Sequence, residues 1–167
     1  MEFGDNVLIG GLIVTGQEEK TIVFRAIGPG GGFNDLLPDP ALELHDANGD
    51  RTTSNDNWTD MQQSEIELSD LAPLDPNDAA ILIALPPDKY TAIVRGQNFG
   101  SGTALVEAYD LDPHSDSTLA NISSREKVDT GDNVMIAGFI LGGGGSRVGS
   151  LVRFPLYRPT GSHLGTA

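Results

Sequence analysis

Ala79–Tyr109 reads AAILIALPPDKYTAIVRGQNFGSGTALVEAY and carries three strand signals in close succession. Ala79–Leu85 is an apolar run. Tyr90–Arg95 alternates, with Thr91, Ile93 and Arg95 on one face and Tyr90, Ala92 and Val94 on the other. Thr103–Tyr109 alternates in the same way, setting Ala104, Val106 and Ala108 against Leu105, Glu107 and Tyr109. Successive strand side chains point to opposite faces of a sheet, so this period of two is the mark of β structure. Pro86-Pro87-Asp88 and Gly96–Gly102 separate the runs as turn signals. Short strands at this spacing predict an all-β fold, an antiparallel β-sandwich.

The rest of the chain fits that frame. Val7–Val14 is apolar with Gly10-Gly11 inside, which predicts a buried strand with a bulge or a close backbone approach. Thr21–Ile27 is a second β-rich run, and the glycine- and proline-dense Gly28–Pro40 is loop. Ala41–Asp46 alternates, ANGD supplies a turn, and Arg51–Ser54 returns as a short strand of a hairpin. Thr59–Leu68 is the one helical candidate, of one or two turns, with Thr59 and Gln62 resembling a capping box. Leu71–Asp78 is loop, and Leu119–Ser123 predicts one more strand.

An internal repeat divides the chain. Gly4–Val14 reads GDNVLIGGLIV, and Gly131–Leu141 reads GDNVMIAGFIL, 127 residues later. Gly4, Asp5, Asn6, Val7, Ile9, Gly11 and Ile13 recur as Gly131, Asp132, Asn133, Val134, Ile136, Gly138 and Ile140. A repeat at one module's length predicts one unit over 4–130 and the opening of a second over 131–153. The remainder, 154–167, is off-pattern. No acid follows Asp132, and a shifted reading frame, vector sequence or a divergent natural terminus each account for that. At the other end Met1-Glu2-Phe3 leads directly into the repeat, and Glu-Phe is what a common cloning site encodes. One module has one place for each strand. Leu119–Thr130 is expected to fold back onto the open first edge, and the second GDNV copy to pack against a partner chain, giving a homo-oligomer.

Composition narrows the function classes. The 167 residues suffice for one domain with a real core. A net charge of −14 argues against nucleic acid and against anionic membrane as partners, because both need basic surface. With no cysteine, disulfides and thiolate chemistry are excluded. No apolar run reaches membrane-spanning length, and no signal peptide precedes Gly4.

Several stretches together resemble a known family. LELHDANGDRTTSNDNW is followed by LAPLDPNDAAILIALPPDKYTAIVRG, GTALVEAYDLD, LANISSR and GDNVMIAGFI. In that order they look like a repeat of large secreted proteins of environmental bacteria, and are distantly similar to pre-peptidase C-terminal (PPC-like) domains. The resemblance spans nearly everything from Gly4 to Arg153. It implies a jelly-roll-like β-sandwich, extracellular or cell-surface in the parent protein, mostly non-catalytic, with some members binding calcium. His45, His114 and His163 fall outside the pattern the resemblance implies.

Candidate chemistry is sparse. Asp46, Asn48 and Asp50 on a tight turn, with Asp56 nearby, form an oxygen-rich set suited to a hard divalent cation, calcium first. Ordinary turn chemistry is the plainer reading of the same residues. Asp112, His114 and Asp116 point one way in an extended segment and offer a transition metal two carboxylates and an imidazole; a solvated linker is the alternative. Asp75 and Asp78 are a further acidic pair on a polar loop. The glycine runs Gly28–Gly32 and Gly142–Gly145 lack the lysine and the following helix of a phosphate loop. No nucleophile elbow occurs. Two functions follow. The first is a non-catalytic, calcium-stabilised module of an exported repeat protein, serving adhesion, display or spacing. The alternative is a small divalent-metal-dependent hydrolase of phosphate esters, with the off-pattern histidines as its novelty.

Overall fold

The computed structural model describes residues 7–31, 36–100, 102–125, 136–139 and 149–156. Ten strands carry the architecture: β1 (Leu8–Thr15), β2 (Lys20–Ile27), β3 (Pro40–His45), β4 (Arg51–Asn55), β5 (Ala79–Leu85), β6 (Lys89–Gly96), β7 (Gly102–Asp110), β8 (Thr118–Arg125), β9 (Ile136–Phe139) and β10 (Gly149–Leu156). They form two five-stranded sheets, in the orders β4-β3-β6-β1-β8 and β5-β2-β7-β10-β9. All strand pairs are antiparallel. The chain changes sheet at every connection except the β3–β4 and β9–β10 hairpins, the habit of jelly rolls. The fold is an antiparallel β-sandwich, and among the described residues the one α-helix is the short α1 (Gln63–Leu68), beside three single 3-10 turns.

Alternation sets which side chains face inward. Leu8, Leu12 and Val14 of β1 meet Ile22, Phe24 and Ala26 of β2, Leu42 and Leu44 of β3, and Val94 of β6 in one buried cluster that both sheets share. Each large aliphatic or phenyl side chain fully removed from water stabilises by about 1.5–3 kcal/mol. A smaller cluster of Trp58, Ile66 and Ala80 lies where the 56–78 segment covers the outer face of β5. At neither Gly10 nor Gly11 does backbone come closer than ordinary contact to an added Cβ, with Ala92 O at 3.9 Å and Ser123 O at 3.8 Å; the near neighbour of Gly11 is the Ser123 hydroxyl, at 2.5 Å. The one register shift in β1 comes later, between Ile13 and Val14.

Leu119–Ser123 lies within β8, which pairs with β1 along the edge that expectation left open. The second copy of the repeat contributes β9 and the first part of β10, which runs on into the 154–167 remainder and pairs with β7 of the same chain. Equivalent sequences thus take different places. β1 is central in the first sheet, whereas β9 is the outermost strand of the second and pairs with β10.

The helix departs from its expected start. Gln62 precedes α1 in the left-handed region (φ 56°) and makes no side-chain cap. Its amide instead pairs with the edge strand β5, Nε2 donating to Leu82 O at 2.8 Å and Leu82 N donating to Oε1 at 3.2 Å. Asn55 Oδ1 accepts from Ala80 N on the same edge at 3.1 Å. Two side-chain amides thereby take the place of a further strand, which blunts an edge otherwise open to pairing.

One charge pair closes an end of the core. Lys20, 1% exposed, donates from Nζ to Asp110 Oδ1 at 3.1 Å and to Asp112 O at 2.6 Å. Asp110 also accepts from Asp112 N. Buried pairs of this kind add little net stability when intact but are costly to break. Lys20→Ala is expected to lower unfolding free energy by about 3–5 kcal/mol. Urea unfolding checks this through a lower midpoint at unchanged slope. A loss under about 1 kcal/mol, the level of exposed pairs, would show that water already reaches this end of the core.

Candidate functional site

The oxygen-rich turn between β3 and β4 is built around Asp46. Its Oδ1 accepts from Asn48 N at 2.9 Å and from Asp50 N at 3.0 Å, and its main chain closes the turn through Asp46 N to Asp50 O. Gly49 has φ 85°, a conformation that glycine adopts without strain. These bonds, first the one from Asp50, hold the Asp46 carboxyl below its ordinary value of 3.8. Asp46, Asn48 and Asp50 are therefore together. Asp56 is not with them. It follows the far end of β4, whose Asn55 lies opposite Leu42, and its Oδ2 accepts from Gln97 Nε2 at 2.8 Å. Six residue steps along β4 separate it from Asp50, roughly 20 Å at about 3.3 Å per residue.

The second set does not lie on an extended segment. Ser115 N donates to Asp112 O at 3.2 Å, which bends the chain into a turn between Asp112 and Asp116. Asp116 N donates to Glu18 Oε2, and Ser117 Oγ bonds the Glu18 backbone, tying this loop to the β1–β2 connection. His114 is exposed. Asp75 and Asp78 serve the 56–78 covering. Asp75 O accepts from Trp58 Nε1 at 3.1 Å, Asp78 O from Trp58 N at 2.9 Å, and Asp78 Oδ1 from Gly28 N at 2.7 Å. His163 lies outside the described residues.

Two polar clusters were not singled out from sequence. Glu43 on β3 is bordered by His45, Arg51 and Arg95, with His45 Nε2 at 3.0 Å and Arg95 Nη2 at 3.4 Å from its Oε2. Partial burial works to raise the Glu43 carboxyl, but the His45 and Arg95 contacts outweigh it and hold it below 4.5. The other His45 nitrogen, Nδ1, lies 3.0 Å from Gly49 O, so both ring nitrogens are already engaged. On the outer face of the second sheet, Arg25 donates to Glu107 Oε2 and to Leu71 O and stacks 5.0 Å from the Tyr109 ring centroid. Tyr109 OH donates to Glu107 Oε1 at 2.9 Å. Burial and then the Glu107 charge push the Tyr109 hydroxyl up to about 12. A charged residue inside an apolar strand run was the available signal: Arg25 and Glu107 sit directly opposite each other in the β2–β7 register.

Among the described residues, no group of three or more His, Asp or Glu side chains is placed to hold a metal ion. Compared with protein-family models, curated proteins and solved structures, the chain matches none.

The Asp46 turn has a pH signature. A carboxyl whose folded value is depressed contributes stability in full above 3.8, and that contribution is lost as pH falls through the folded value. Asp46→Ala is expected to melt below the parent at neutral pH, with the gap closing as pH drops below 3.8. Calorimetric scans across that range check it. A gap independent of pH would mean that the ionised carboxylate is not what the turn uses.

Proposed function

We propose that the chain is a non-catalytic β-sandwich module of an exported repeat protein, extracellular or cell-surface in its parent, that serves adhesion, display or spacing. The observation that carries this reading is the destination of its polar side chains. Asn55 and Gln62 bond the β5 edge, Asp78 takes the Gly28 amide, and Lys20 and Asp110 pair at the end of the core. Groups placed for chemistry converge on an open cleft; these are taken up by strand-edge backbone, the Gly28 amide and one another. The internal repeat and the likeness to PPC-like modules support the same reading. Among the described residues, no helix is long and apolar enough to cross a membrane.

Calcium is the proposed stabilising ion, held at Asp46, Asn48 and Asp50 with water completing its shell. A bound ion stabilises the folded chain by mass action. Added calcium should therefore raise the melting temperature, and a chelator should lower it again. If neither moves it, or if Asp46→Ala with Asp50→Ala leaves the response intact, the calcium assignment fails. Self-association is proposed through the second GDNV copy, since β9 pairs with β10 and an edge strand invites a further strand. Light scattering at micromolar concentration should show more than a monomer, and a monomeric mass contradicts it. The module reading as a whole is tested with activated phosphate, sulfate and carboxylate esters, with and without divalent metal. No turnover above background is expected. Metal-dependent hydrolysis of phosphate esters that a chelator abolishes would replace the module with the hydrolase.

A further inference from the structure

The 56–78 segment divides its apolar side chains between two sides. Trp58 and Ile66 are buried with Ala80 of β5 in the smaller cluster. Met61, Leu68 and Leu74 are instead 46%, 83% and 91% exposed, and among the described residues these are the large apolar side chains left in water. All three lie on this one connection. α1 makes the division within two residues, with Ile66 at 0% exposed and Leu68 outward. Connections in compact domains mostly run about 4–6 residues, and much longer ones commonly carry binding functions.

The segment is fastened along its length. Trp58 Nε1 donates to Asp75 O, Asp78 Oδ1 accepts from Gly28 N, and Arg25 Nη1 donates to Leu71 O at 2.8 Å. The Gln62 amide takes both main-chain groups of Leu82. Gln62 and Asp70 bracket α1 with φ of 56° and 60°, a left-handed conformation that residues other than glycine keep only where their surroundings impose it. A surface held in this way has little conformational freedom to lose on binding.

Charge selects the partner. The exposed Asp60, Glu65, Glu67 and Asp70 interleave in sequence with the apolar three, and 56–78 contains no Lys or Arg. A second copy, with the same net charge of −14, would bring like charge to this surface, and so would an anionic membrane. We propose that the solvent side of the 56–78 segment is the module's adhesive surface and takes a cationic amphipathic segment of a partner protein. Apolar side chains of that segment cover Met61, Leu68 and Leu74, and its Lys or Arg face the four carboxylates. Met61 adds an unbranched side chain that adapts its shape to what covers it. This assignment rests on the module reading, whose own test is ester turnover. Binding is a separate readout, so either can fail alone.

The test titrates the full chain into a fluorescently labelled Leu/Lys peptide patterned as an amphipathic helix. A control peptide with every leucine replaced by serine keeps the charge. The leucine peptide is expected to bind at least about tenfold more tightly than the control, the effect of burying leucine side chains. Leu68→Ser with Leu74→Ser should reduce its affinity to the control's level at unchanged melting temperature, because both side chains stand in water in the free chain. Glu65→Gln with Glu67→Gln should weaken both peptides and flatten the salt dependence. Equal binding of the two peptides, or full affinity in the Leu68–Leu74 double variant, would overturn the proposal and leave only general attraction to an acidic chain. Phosphatidylcholine vesicles should not retain the chain. Retention that Leu68→Ser with Leu74→Ser abolishes would assign the surface to lipid and overturn the proposal as well.

Discussion

β1 is hydrogen-bonded along both of its sides, to β6 from Leu8 to Ile13 and to β8 from Ile9 to Thr15. Without it the first sheet would fall into two pieces, since β8 has no other partner in that sheet. Backbone N–H and C=O groups removed from water have to be paired, and two ladders on one strand satisfy more of them than any side chain here can. The inward residues Leu8, Leu12 and Val14 then tie this ladder to the second sheet through the shared core. Position in the sheet is therefore decided by neighbours as much as by sequence: the same motif forms a central strand between β6 and β8 and an edge strand beside β10.

The polar side chains answer the same demand. Gln62 and Asn55 cover the β5 edge with amides, and Arg25 spans from Glu107 and Tyr109 on the sheet to Leu71 O in the covering segment. Trp58 and Ile66 pack that segment down, while Leu68 and Leu74 on it stay exposed. The acidic balance of the chain is thus divided between fixed structural bonds and solvated surface.

Much of the fold was legible because the signal was periodic. Ala79–Leu85 has the predicted bounds of β5, and the alternating runs at Tyr90 and Thr103 extend by a residue or two in β6 and β7. Inward and outward faces followed as well: Glu107 shares a face with Leu105 and Tyr109, away from the core. What sequence could not supply was pairing across long separations. Gln62 reads as a capping residue beside Thr59, yet its amide is taken by Leu82, twenty residues on. Lys20 lies just outside the expected run Thr21–Ile27, yet Asp110 draws it into the core. In the acidic candidates, Asp46, Asn48 and Asp50 did come together because a turn is local, while Asp56 was carried away by the length of β4. Asp112, His114 and Asp116 depended on an extended segment that Ser115 bends.

Residue-resolved amide hydrogen exchange of the full chain tests most directly the claim that β1 is the strand on which the first sheet depends. Exchange reports local opening, and central strands open less readily than edges. The account predicts that the β1 amides of Ile9–Ile13 exchange together with those of β6, well after the edge strand β4, and that those of Ile136–Phe139 exchange early. Amides of β1 that exchange as fast as the edge strands, with Ile136–Phe139 protected in their stead, would contradict it.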